Sequence, residues 1–125
     1  MAKTLIFRLT RHQAGEDQME ALHRVAHTLY PDTTEVVIAQ HSETVSSAAD
    51  VVRLANGAQQ EVGADHLIIE AVLPINLLSE LLRAANAPII RAVMNRKVHP
   101  DGSATFEFSH YERVVLVDVV TEPLK

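Results

Sequence analysis

The chain has 125 residues, 47% hydrophobic and 22% charged, with a formal charge of −5 and no cysteine. That suffices for one domain over residues 1–125 and not for two, and the negative charge argues against sequence-independent binding of a long nucleic acid. The missing cysteines exclude a disulfide framework, a thiolate nucleophile and a thiolate zinc site; with no apolar run near the roughly 20 residues that cross a bilayer and no signal peptide, the expectation is a cytoplasmic protein without a membrane partner.

In chain order, KTLIFRLT (3–10) is a compact apolar run, suited to a strand buried on both faces, with Arg8 its one discordant residue. AGEDQMEALHRVAHTLY (14–30) sets Met19, Leu22, Ala26 and Leu29 at spacings of three and four, the stripe of an amphipathic helix, with Glu16 and Asp17 in the turn where acids suit the helix dipole. EVVIAQ (35–40) predicts a second strand. HSETVSSAADVVRLANG (41–57) predicts a helix capped near Ser42 or Thr44 and stopped by Asn56-Gly57. DHLIIEAVLP (65–74) is a third strand, and INLLSELLRAAN (75–86) a helix with Asn76 as its cap and Leu77, Leu78, Leu81 and Leu82 inward. APIIRAVMNRKV (87–98) is a fourth strand, HPDGS a hairpin turn, and residues 104–122 return as one or two strands.

Strand and helix thus alternate three times before a terminal hairpin. The pattern predicts an α/β fold, a Rossmann-like three-layer sandwich whose mainly parallel sheet ends in a C-terminal β-hairpin. In such folds ligands sit beyond the carboxyl ends of the strands. Three turns can meet there: TRHQ after the first strand, QHSE after the second and LPIN after the third.

None of the four glycines forms G-x-G-x-x-G or G-x-x-x-x-G-K, which excludes the usual dinucleotide and P-loop sites. A phosphate would have to be met by helix amino ends and by arginine. Arg11 and His12 fit that need, and they equally fit a solvated loop. Gln40, His41 and Ser42 could join the same site or form an ordinary turn. Asn76 could face a base or ribose, or only cap its helix. His23 and His27 have a metal-ligand spacing, but HRVAH lacks the glutamate of H-E-x-x-H, so two ordinary helix histidines and no metal are expected. No G-x-S-x-G elbow supports a serine nucleophile. Glu70, an acid inside a strand, calls for an arginine partner such as Arg8 or Arg91. Arg91, Arg96 and Lys97 concentrate positive charge on the hairpin, on solvated surface or near a dimer axis.

TRH directly after the first strand, and LIIEAVLPINLLSELL over the third strand and its helix, together resemble the small Rossmann-like proteins encoded beside type III CRISPR systems. These are relatives of the CRISPR-associated Rossmann-fold (CARF) domain that bind cyclic oligoadenylates, and several are ring nucleases that open the signalling ring. The resemblance implies ligand roles for Thr10, Arg11, His12, Pro74, Ile75 and Asn76. It implies cleavage of a ring, cyclic tetra-adenylate the first candidate, to linear products ending in a 2′,3′-cyclic phosphate. Arg11 would stabilise charge and His12 carry the proton, with no cofactor or metal. A ring of rotational symmetry suits a twofold site, so a homodimer is expected, with RVVLVDVV (113–120) as surface for the partner. The alternatives are a module that senses or sequesters the ring without cutting it, and a Rossmann-like protein-interaction subunit.

Overall fold

In the computed structural model, which describes residues 2–117 and 122–124, strand and helix alternate as β1 (Ala2–Leu9), α1 (Glu16–Leu29), β2 (Thr33–His41), α2 (Ala48–Val62), β3 (His66–Ala71), α3 (Ile75–Ala84), β4 (Ile89–Val98) and β5 (Ala104–Val114). The five strands form one sheet in the order β2-β1-β3-β4-β5. The first four are mutually parallel and only β5 runs antiparallel, against β4. The expected α/β architecture, mainly parallel sheet and hairpin are therefore present.

β1 reads as a continuous apolar run because it is central: β2 and β3 flank it, and helices cover both faces. Leu5, Phe7 and Leu9 alternate toward α2 and α3, joined there by Leu67, Ile69 and Ile89 of the neighbouring strands and by Val51, Ala55, Leu78 and Leu81 of the helices. Ile6, Ile68 and Ile90 point the other way, onto Leu22 and Ala26 of α1. The apolar stripe read for the first helix is thus the stripe that packs, with Met19 and Leu29 at its margins. Of the four inward leucines expected in α3, Leu78 and Leu81 are buried, whereas Leu77 and Leu82 are half-buried.

Three expected boundaries are corrected. α2 does not begin near Ser42 or Thr44; it begins at Ala48, with Ser47 as the cap whose hydroxyl accepts from the Asp50 amide. Nor does Asn56-Gly57 stop it. Ala58 and Val62 continue the apolar stripe past that pair, and the helix ends where Gly63 takes the left-handed conformation (φ 66°) that closes a C-terminus. In α3 the cap is Pro74, which makes no side-chain bond, and Asn76 lies inside the first turn. The HPDGS turn forms as expected: Gly102 takes φ 87° and Asp101 accepts from the Ser103 amide and hydroxyl. Of the return segment read over 104–122, β5 accounts for the part to Val114, and residues 118–121 lie outside the described residues.

Candidate functional site

The sheet order reverses between β1 and β3, the crevice at which open α/β sheets bind ligands. Leu9, the last residue of β1, is paired with His41 on β2 and Ala71 on β3. The turns after these three strands consequently open together, as the sequence predicted. Between them lies a cavity of about 360 Å³ lined by Leu9, Thr10, Arg11 and His12, by His41–Val45, and by Val72, Leu73, Pro74 and Leu77.

Leu9, Val45, Val72, Leu73, Pro74 and Leu77 supply its apolar surface. Its polar groups come from the turn after β1 and the β2–α2 loop. The His12 amide donates to Thr10 Oγ1 (3.2 Å), folding the turn back on itself. Arg11 reaches across to the β2–α2 loop, where its Nε donates to the Ser42 carbonyl at 3.4 Å and Nη2 to Thr44 Oγ1 at 3.5 Å. Bonds of that length are weak tethers, and the guanidinium is exposed with no carboxylate partner among the described residues. His41 stacks on Phe7 with ring centroids 6.1 Å apart. The amino end of α3, whose cap Pro74 makes no side-chain bond, contributes Pro74 and Leu77 to the cavity. Glu43 brings one negative charge to the lining.

Beneath the turn lies a buried ion pair. Arg8 and Glu70 are register partners on β1 and β3, on the α1 face, and both are 1% exposed. Arg8 Nε and Nη2 donate to the two Glu70 oxygens at 2.9 and 3.2 Å, the bidentate geometry for which guanidinium is suited. Tyr111 of β5 donates its hydroxyl to Glu70 (2.8 Å) and accepts from Gln18 of α1 (2.8 Å). Burial first, and the neighbouring Glu70 charge second, push the Tyr111 phenol well above its ordinary value, so the residue stays a neutral donor. The acid in the third strand has the arginine partner expected of it, and that partner is Arg8. Arg91 instead pairs with Glu112 on the exposed hairpin.

Of the residues singled out in the sequence, the structure brings Thr10, Arg11, His12, His41, Ser42 and Pro74 to one cavity. It does not bring Ile75, Asn76 or Gln40 to its lining. Ile75 is 59% exposed and faces a separate groove with Leu78, Arg91 and residues 112–117, because the helix rotates successive positions by about 100° and Leu77 takes the cavity side. Gln40 spends its amide on the turn: Nε2 donates to the Thr10 and His12 carbonyls at 2.9 and 3.1 Å. Thr44, Val45, Val72 and Leu77 also line it and lie outside the three turns expected to meet there. The alternating pattern that marks a strand says little about which loop residues turn back over its end.

The other histidines serve elsewhere. His23 and His27 each hydrogen-bond the carbonyl one turn earlier in α1, His66 pairs with Asp32 at 3.1 Å and stacks on Tyr30, and His99 contacts Thr105. Among the described residues no three histidine or acidic side chains converge on a point that could hold a metal ion, and no helix is long and apolar enough to cross a membrane.

Fold and cavity define an α/β protein with a ligand-sized recess at the switch point of a mainly parallel sheet. No protein-family model matches the chain, and no curated protein is significantly similar to it.

Proposed function

We propose that the protein is a ring nuclease of the CARF-related kind, binding a cyclic oligoadenylate, cyclic tetra-adenylate the first candidate, and cutting it without a metal ion. The observation that carries this reading is the joining of the Thr10-Arg11-His12 turn and the Pro74 turn around one recess. These are the two motifs on which the sequence resemblance rests, and they lie far apart in the chain. The fold details assumed are those of a Rossmann-like sandwich, with which the strand order is compatible.

The chemistry asks little of the protein. The ribose 2′-oxygen bonds to the adjacent phosphorus and the P–O5′ bond breaks. The proton leaving the 2′-hydroxyl passes to neutral His12 and is returned to the departing 5′-oxygen. Histidine is the side chain suited to take and return a proton in this way. Arg11 meets the charge that builds on the phosphoryl oxygens, and in-line positioning of the nucleophile supplies up to about 7–11 kcal/mol of the barrier. Thr10, His41, Ser42 and Pro74 are the proposed ligand contacts. The ring's symmetry favours a homodimeric site, and the cytoplasm is the proposed compartment. Within RVVLVDVV the exposed Val115 and Leu116 supply surface for the second copy, residues 118–120 lying outside the described residues, and Val98 and Phe106 of the hairpin extend it.

The test is incubation with cyclic tetra-adenylate and a chelator, followed by chromatographic separation of products. Linear fragments with a 2′,3′-cyclic phosphate are expected. Arg11→Ala should lower binding and cutting together. His12→Ala should spare binding and slow cutting by about 100-fold or more, and a wild-type rate in that variant removes His12 from the mechanism. Sedimentation as a monomer at all concentrations, with and without ring, removes the dimer. A second reading, binding without cleavage, has its own support: no group among the described residues hydrogen-bonds the His12 ring to orient it. Retained, uncut ring is its signature.

A further inference from the structure

Two side chains, Gln40 and Arg8, bond the Thr10 and His12 carbonyls of the Thr10-Arg11-His12 turn. Gln40 Nε2 donates to the Thr10 carbonyl at 2.9 Å and to the His12 carbonyl at 3.1 Å. The same His12 carbonyl accepts from Arg8 Nη1 at 3.3 Å, and Arg8 Nη1 also donates to Gln40 Oε1 at 3.3 Å. Gln40 and Arg8 therefore hold each other as well as the turn. Arg8 is fixed in turn by its bidentate bond to Glu70. The result is a closed set of bonds from β3 through β1 to β2, clamping both ends of the segment that projects Arg11 and His12 at the cavity.

We propose that Gln40 is a positioning residue of this site. It acts through the backbone of the turn, with Arg8 as its support, and makes no contact with ligand. The amide is required in both senses, since its oxygen must accept from Arg8 while its nitrogen donates to two carbonyls. No other side chain of similar length combines those capacities. This clamp bears on activity only if the ring-nuclease reading holds, because its effect there is to aim Arg11 and His12; the clamp itself is a property of the unliganded protein.

Two near-isosteric variants test it. Gln40→Met removes the donor and the acceptor; Gln40→Glu keeps the acceptor for Arg8 and replaces the donor with an oxygen that repels both carbonyls. The first measurement is amide hydrogen exchange of Arg11, His12 and Gln13 by NMR on the ligand-free protein, with the melting temperature as the check on folding. Both variants should exchange the His12 amide about tenfold faster or more, without loss of the fold, because its bond to Thr10 Oγ1 depends on the turn's shape. The second measurement is turnover of cyclic tetra-adenylate. Gln40→Met should lower kcat by about 10- to 100-fold, the scale on which small misplacements of reacting groups act, and change KM much less.

Wild-type exchange in both variants overturns the proposal, whatever the turnover. So does normal exchange with a loss confined to KM, which would make Gln40 a ligand contact. If Gln40→Met does not fold, Gln40→Glu carries the test. If the wild-type protein neither binds nor cuts the ring, the nuclease reading fails, and the exchange data still decide whether the clamp exists.

Discussion

β1 and the ribbon made by β4 and β5 are strands of one sheet in opposite surroundings. β1 has a strand on each side and helices on each face, and from Thr4 to Leu9 every residue is buried. β4 pairs with β3 only at Ile89 and Ile90. From Arg91 to Val98, about 25 Å of chain, it has β5 alone as neighbour. Register places Met94, Val98, Phe106 and Phe108 on one face of that ribbon, and Val98 and Phe106 are each 64% exposed. The centre of the sheet is where one change costs most. The ribbon, which as a lone two-stranded element is only marginally stable in water, is where a change costs the monomer least and a partner most.

The largest expected effect lies in the centre. Glu70→Ala leaves the Arg8 guanidinium charged, buried and without its carboxylate, and removes the acceptor of the Tyr111 hydroxyl. Breaking one side of such a pair costs about 3–5 kcal/mol, to be read by urea denaturation. Replacing both partners, Arg8→Met with Glu70→Leu, should recover most of that loss, because the desolvation cost disappears with the charges. It should also take one of the two donors from the His12 carbonyl, leaving Gln40 as the other, so stability returns with a loosened turn. Failure of the double variant to recover would mean that the pair shapes the centre of the sheet as well as the turn.

How much of this was legible in advance follows the same division. The apolar run of 3–10 and the stripe through Met19, Leu22, Ala26 and Leu29 are read directly, since burial on two faces or along one stripe leaves a periodic mark. The meeting of three turns followed from the alternation of strand and helix. Local punctuation was less trustworthy. Asn56-Gly57 reads as a stop, but tertiary packing of Ala58 and Val62 carries α2 on to Gly63. Asn76 reads as a cap, but its position one residue past the helix start disqualifies it. The role of Gln40 was not legible at all: it depends on carbonyls 28 and 30 residues distant in sequence, and no local pattern encodes such a distance.

An intermediate effect sits where the two regions join. Tyr111 belongs to the ribbon, yet its hydroxyl is bonded into the central pair. Tyr111→Phe should cost about 1–2 kcal/mol by leaving Glu70 and Gln18 each short of a partner. Its titration gives an independent measure. Burial and the Glu70 charge raise the folded-state pKa of Tyr111, and burial raises that of Tyr30. A phenol whose pKa is raised by folding contributes stability that is complete below the unfolded value of about 10 and is lost as the pH climbs above it. The chain has only these two tyrosines and no tryptophan, so tyrosinate absorbance is easily followed. Tyr111 should not ionise in the ordinary range while the protein stays folded, its ionisation and unfolding rising together above it, and Tyr30 should titrate later than a free phenol. A normal titration of Tyr111 in the folded protein, assigned by its disappearance in Tyr111→Phe, would detach the ribbon from the centre.

The smallest effect on the monomer is expected at the ribbon's exposed face. Phe106 lies opposite Arg96 and little covers it, so Phe106→Ser should change the unfolding free energy by no more than about 0.5 kcal/mol. Self-association is where its loss should show. If the apolar ribbon is the surface that a second copy covers, the sedimentation coefficient of Phe106→Ser should stay at the monomer value over concentrations at which the wild type associates. The partner change Val98→Thr should act in the same direction, because the two side chains share one face. If both variants associate like the wild type, the dimer contact lies elsewhere. The exposed ribbon would then need another explanation, while the centre of the sheet and its recess would stand unchanged.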